Sequence, residues 1–180
     1  MYLETGNTGT AGELAITKGS DTGNRNFQIK VTYFTCNSLA KAPAGCTQYF
    51  TGKSGNFQSY NHQGGQLLQS MNYNNCFRQE EGYCNIQVRE AVGSTIDAFF
   101  LSAIADQAET NCMLVSRITL ASPISGSFCG DVLSPIAADT IPSVITSSPG
   151  ASFQVGVQSL TGVISGKTGF NLDYNQVPCA

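Results

Sequence analysis

Apolar and polar residues alternate along much of this chain, with the two-residue period of strands that bury one face. The clearest run is residues 26–35, NFQIKVTYFT. There Phe27, Ile29, Val31 and Tyr33 are separated by Gln28, Lys30 and Thr32. Such a β-branched and aromatic alternation predicts a strand, ending at Cys36. Residues 71–90, MNYNNCFRQEEGYCNIQVRE, read as a β-hairpin. Residues 75–78 form one arm, Glu80, Glu81 and Gly82 the turn, and residues 83–88 the other arm. A glycine beside two carboxylates is turn chemistry. Cys76 and Cys84 would then face each other across the hairpin, close enough to bridge.

Shorter strands are predicted over residues 13–16, 57–60, 96–101, 112–120, 151–157 and 169–176. Ser54, Gly55 and Asn56 read as a turn. Residues 103–110, AIADQAET, carry helix-favouring residues in a run too short to be stable alone. Residues 37–45, NSLAKAPAG, are small, polar and proline-bearing, and read as a linker between domains.

The pattern also repeats. When Cys36 is aligned with Cys179, Phe27 falls on Phe170, Ile29 on Leu172 and Val31 on Tyr174, with polar residues between. Two copies of one module would produce this. Residues 1–36 are then expected to be the C-terminal part of a first domain whose front half is absent. Residues 46–180 are expected to be a complete second domain.

Composition narrows the class. The chain has 180 residues, 41% of them hydrophobic and only 12% charged, with 19 glycines and a net charge of −3. That excludes a disordered chain. Nine scattered Lys and Arg residues leave no footprint for nucleic acid or an anionic membrane. No apolar run reaches membrane-spanning length. Seven cysteines without CxxC spacing, and a single histidine, argue against a metal site and for disulfides in an oxidising compartment. No hydrophobic export segment follows Met1. The chain is therefore expected to be a fragment of a longer secreted protein.

Catalytic devices find little support. A Ser-His-Asp or Cys-His arrangement would need His62. It lies in a polar loop with no motif around it and reads as a surface histidine. Glu80 and Glu81 are adjacent at a hairpin tip, where side chains point apart into solvent. The glycines match no phosphate loop. Binding fits better, because sandwich domains bind through loops or one exposed face. The candidate surface is Tyr60, His62, Arg78, Glu80, Glu81, Tyr83 and Arg89.

Three signatures converge on one family. They are the segment from Cys76 to Cys84, the Cys112 and Phe128-Cys129-Gly130 pair, and the closing GFNLDY from Gly169 to Tyr174. Together they resemble a CUB domain, and the chain is most similar to the tandem CUB proteins of arthropods. The resemblance implies an all-β, antiparallel, jelly-roll type β-sandwich with disulfides, secreted from the cell. It implies Cys76 paired with Cys84 and Cys112 with Cys129. Cys46 with Cys179 would close the second module and leave Cys36 as the odd cysteine. The competing pairing is Cys36 with Cys46. Many CUB domains bind calcium through a glutamate and two aspartates, one of them a few residues after the third cysteine. Here that stretch, residues 112–118, holds no acid, so no calcium site of that type is expected, and no other cofactor. The expected function is a non-catalytic extracellular module binding a protein or glycan. An accessory region of a secreted protease and a matrix or cuticle component are the alternatives.

Overall fold

The computed structural model describes residues 2, 12–16, 26–103, 112–160 and 166–180. Among them ten strands follow one another. They are β1 Cys46–Phe50, β2 Ser54–Gln58, β3 Asn72–Phe77, β4 Tyr83–Glu90, β5 Phe99–Phe100, β6 Arg117–Thr119, β7 Ser127–Phe128, β8 Ile145–Thr146, β9 Gln154–Gln158 and β10 Gly169–Pro178. They form two sheets. The first runs β1-β3-β9-β6-β7; the second runs β2-β10-β4-β8, with β5 also on β10. Neighbours are antiparallel except β1 and β3. The result is a disulfide-bonded all-β sandwich.

The alternation read from the sequence decides which face each strand buries. Along β10, Phe170, Leu172 and Tyr174 are at most 3% exposed. Ile86 and Val88 of β4, Phe57 of β2, and Ile118, Phe128, Val155 and Val157 of the first sheet meet them. Each such side chain contributes roughly 1.5–3 kcal/mol by leaving water. An aromatic cluster sits at one end, with the Tyr174 ring 4.6 Å from Phe77 and the Phe57 ring 5.0 Å from Phe77. Gly55 belongs to this packing. A Cβ there would come within 2.7 Å of the Tyr174 ring. Ser54, Gly55 and Asn56, expected as a turn, thus form a strand paired with residues 173–175 of β10 instead, with the glycine leaving room for the Tyr174 ring.

The hairpin expected over residues 71–90 is corrected. Its arms are strands and Glu80–Gly82 does turn, with the Tyr83 N–H donating to the Glu80 carbonyl at 3.1 Å. The arms, however, lie in different sheets, β3 beside β1 and β9, β4 beside β10 and β8. Cys76 and Cys84 therefore do not face each other. The bridges are Cys46–Cys76, Cys84–Cys179 and Cys112–Cys129. The first joins neighbouring strands of the first sheet, and the second fastens the end of β10 to β4. The expected Cys76–Cys84 and Cys46–Cys179 pairs exchange partners, and Cys36 is exposed and outside all three bridges. The alternative Cys36–Cys46 pair is excluded in the same way.

Residues 26–35 and 13–16, expected as strands, form none. Their alternation is intact, but no sheet face among the described residues receives it. Phe27, Ile29, Val31 and Tyr33 are 59, 54, 66 and 84% exposed. The expected helix at 103–110 falls almost wholly outside the described residues.

Candidate functional site

The seven candidate residues separate into three places. Arg78, Glu80, Glu81 and Tyr83 lie at one end of the sandwich, where the chain crosses between sheets. There Gln176, the next inward position of β10 after Tyr174, is 1% exposed. Its side-chain amide donates to the carbonyls of Gly52 (3.0 Å) and Arg78 (2.7 Å) and accepts from the Glu80 N–H (2.9 Å). The Glu80 carboxylate accepts from the Gly52 N–H at 2.8 Å and from Arg78 Nε at 3.0 Å. The Gly52 N–H first, and then the Arg78 guanidinium, hold this carboxyl below its usual range. Lys53 Nζ lies 5.0 Å above the Tyr83 ring. These groups are spent on one another, so Arg78 and Glu80 act as a structural clamp. Glu81 is exposed beside it.

Tyr60 and His62 lie elsewhere. The Tyr60 ring packs 5.0 Å from Tyr73 at the edge of the core. His62 opens a short 3-10 turn, His62–Gly64, and is 1% exposed. The expected surface histidine is thus corrected. Ser59 binds the backbone of Phe170 through both its own backbone and its hydroxyl. This draws the loop inward, and His62 Nδ1 lies 3.2 Å from the Thr168 carbonyl. The imidazole borders a cavity of about 180 Å³ with Gln63, Ser94, Thr95 and Asn171. No carboxylate lines it, so the elements of a Ser-His-Asp relay are not assembled there.

Arg89 belongs to a third place, the outer face of the second sheet. The strand register sets two rows of polar residues across it. Asn56, Asp173 and Arg89 form one row; Ser54, Asn175, Gln87 and Thr146 form the other. Asn56 Nδ2 donates to Asp173 Oδ1 at 3.1 Å and to Asn171 Oδ1 at 2.8 Å. Arg89 Nε is 3.8 Å from Asp173 Oδ2, with its side chain 58% exposed. A groove of about 550 Å³ runs over these strands, and the exposed Val144 is the apolar side chain on its wall. The sequence reading singled out only Arg89 here. The missed residues, Asn56, Asp173, Asn175 and Gln87, were legible as the polar half of the same alternation that marked the core.

Metal chemistry has few ligands to work with. Among the described residues no group of three His, Cys, Asp or Glu side chains could hold an ion. Residues 112–118 carry no acid, so the residues present do not fit a calcium site of the expected type. Glu90 is a separate carboxyl. Burial pushes it up, a hydrogen bond from the Leu133 N–H at 2.7 Å pulls the other way, and Asp97 and Asp131 raise it further. No helix of the described residues is long and apolar enough to cross a membrane.

A family model described as the animal CUB domain matches residues 43–177. No curated protein sequence matches the chain. Among solved structures, the full extracellular region of zebrafish Gpr126/Adgrg6 superposes with a TM-score of 0.50 at 20% identity, over 75% of this chain and 15% of that one. The CUB1-EGF-CUB2 domains of rat MASP-1 give 0.48 at 15% identity, over 73% of this chain and 43% of that one. The MASP-1 CUB2 domain bound to Ca2+ gives 0.45 at 16% identity, over 72% and 98%. At these identities the likeness is one of fold.

Proposed function

The chain belongs to the animal CUB domain family, and from that premise we propose that it grips an extracellular protein partner with the outer face of its second sheet. CUB domains are extracellular protein-interaction modules and as a family are generally non-catalytic. The observation that carries the reading is the groove over β2, β10 and β4. It combines a solvent-facing guanidinium, a carboxylate and a row of side-chain amides, with the exposed Val144 beside them. Such a mixture offers directional hydrogen bonds and a charge that a polar protein surface can pair with. The clamp at Arg78 and Glu80 offers less, because its donors and acceptors already satisfy one another.

The test immobilises the chain and screens it against secreted and cell-surface proteins and, separately, a glycan array. A protein partner is expected. Its affinity should fall at least about tenfold in Arg89→Ala, a loss of about 1.4 kcal/mol, and hold in Glu81→Ala. Binding to glycans alone, or equal loss in both variants, overturns the reading.

A further inference from the structure

Residues 26–35 carry the side-chain code of the sandwich's central strand without forming a strand. With Cys36 set on Cys179, the inward residues of β10, Phe170, Leu172 and Tyr174, fall on Phe27, Ile29 and Val31. The outward residues Asn171, Asp173 and Asn175 fall on Gln28, Lys30 and Thr32. Both faces therefore match, one apolar and one polar. In β10 the apolar face is at most 3% exposed; in residues 27–33 it is 54–84% exposed. Four large apolar side chains in one row are unusual on a settled surface. An extended segment of this kind gains main-chain hydrogen bonds and side-chain pockets by joining a sheet.

We propose that residues 26–35 are the last strand of a second sandwich of this same architecture, carried on the same polypeptide, and enter it between the equivalents of β2 and β4. The occupant follows from where the strand cannot go. Within this sandwich the place is filled: β10 pairs with β2 on one side and β4 on the other, and Cys84–Cys179 fastens its end. A second copy of the chain presents the same filled place. The outer strands β1, β7, β2 and β8 offer pairing on one side only, so a strand coded on both faces like β10 fits a body whose sheet is complete only with residues 26–35. The linkage is short. Ser38 and Lys41 donate backbone hydrogen bonds to Thr35 and Ser38, and Ala42 packs beside Cys46 and Cys76. The two bodies would sit close together, as tethered partners at high effective concentration. Two positions differ from β10. Gly169 has φ +89° and Ser59 where a Cβ would go, whereas Asn26 stands in its place. Gln176, with its three clamp bonds, is replaced by Tyr33. The recipient accordingly lacks this clamp and presents a wider pocket at that position. The inference is independent of the groove reading above.

Two experiments test it. In the first, Asn171→Gln, Leu172→Ile, Asp173→Lys, Tyr174→Val and Asn175→Thr are combined in the full chain, which writes residues 28–32 into β10. The graft should form the same three disulfides and unfold in one cooperative transition. A graft displaced by one residue should not. A four-change version that keeps Tyr174 separates a wrong code from the cavity left by one ring. Failure of both the four- and five-change grafts overturns the proposal. In the second, hydrogen exchange compares the protein purified from its natural source with the 180-residue chain. Amides of residues 28–32 should exchange at least a hundredfold more slowly in the former. Equal rates overturn the proposal. So does slowing that appears only on concentrating the 180-residue chain as sedimentation shows a dimer, since a second copy would then be the occupant.

Discussion

Among the described residues, two arginine–carboxylate pairs lie on strands or turns of this sandwich, and they do opposite work. Arg78 and Glu80 are 2.9 Å apart; their backbones are tied to Gln176, and the Glu80 carboxylate accepts from the Gly52 N–H. Arg89 and Asp173 stand 3.8 Å apart on an open face. The residue types are the same, and the number of backbone groups drawn into each cluster is not. A charge that satisfies buried peptide groups is part of the fold, because releasing it leaves those groups unpaired. A charge that answers mainly to solvent and one neighbour is available to a partner at little structural cost.

Removing the disulfide that fastens β10 to β4 should have the largest effect. Cys84–Cys179 closes 95 residues of chain. Replacing both cysteines with serine should lower unfolding free energy by about 4–5 kcal/mol in the chain-entropy model. The same change at Cys112–Cys129, with a separation of 17, should cost about 3 kcal/mol. Denaturant midpoints of the two variants check the order, and a larger loss at the shorter loop would contradict it. Next is Gln176→Ala, which strands the Glu80 N–H and the Gly52 and Arg78 carbonyls at the foot of β10. A loss of about 3 kcal/mol is expected, measured by the same titration.

Gln176 also marks how much of this was legible beforehand. The alternation of residues 169–176 located β10 and its buried face. A glutamine in the inward register of Phe170, Leu172 and Tyr174 was the signal for a buried polar clamp. The periods of residues 71–90 likewise placed two strands and a turn. They carried no information on which sheet each strand joins, because period reports a face and not a neighbour. The expected Cys76–Cys84 and Cys46–Cys179 pairs failed for that reason, while Cys112–Cys129 forms as expected. Residues 26–35 give the converse case: a strand pattern as clear as that of β10, exposed because pairing needs a sheet as well as a sequence. His62 had no local signal at all. Its burial comes from Ser59 and Thr168, the latter 106 residues away along the chain.

A smaller effect should follow pH at the closed pair. The folded-state pKa of Glu80 is depressed, chiefly by the Gly52 N–H and then by Arg78. Its stabilisation is therefore present above the ordinary carboxyl pKa and lost as pH falls through the folded value. Glu90 has the opposite sign. Its raised pKa, due first to burial, favours the folded state when protonated and opposes it as pH rises past the ordinary value. Denaturant midpoints of wild type and Glu80→Gln, taken from pH 7 down to pH 3, should differ most at neutral pH and converge in acid. A gap that widens in acid would mean that Glu80 does not anchor the clamp.

The smallest effect should come from Arg89→Ala. At 3.8 Å, with the Arg89 side chain 58% exposed and Asp173 also held by Asn56, the ion pair is screened by water and salt. Truncation should change unfolding free energy by no more than about 0.5 kcal/mol. Asp173 keeps its hydrogen bond from Asn56, so no buried charge is stranded. The same substitution is the one expected to weaken partner binding about tenfold, equivalent to about 1.4 kcal/mol. Measured together, thermal stability and affinity should therefore part company at Arg89. They should not part at Gln176, where a variant that loses binding should lose folding with it. If Arg89→Ala instead destabilises the chain as much as Gln176→Ala, the open pair is as structural as the closed one. The outer face would then have no charge left over for a partner.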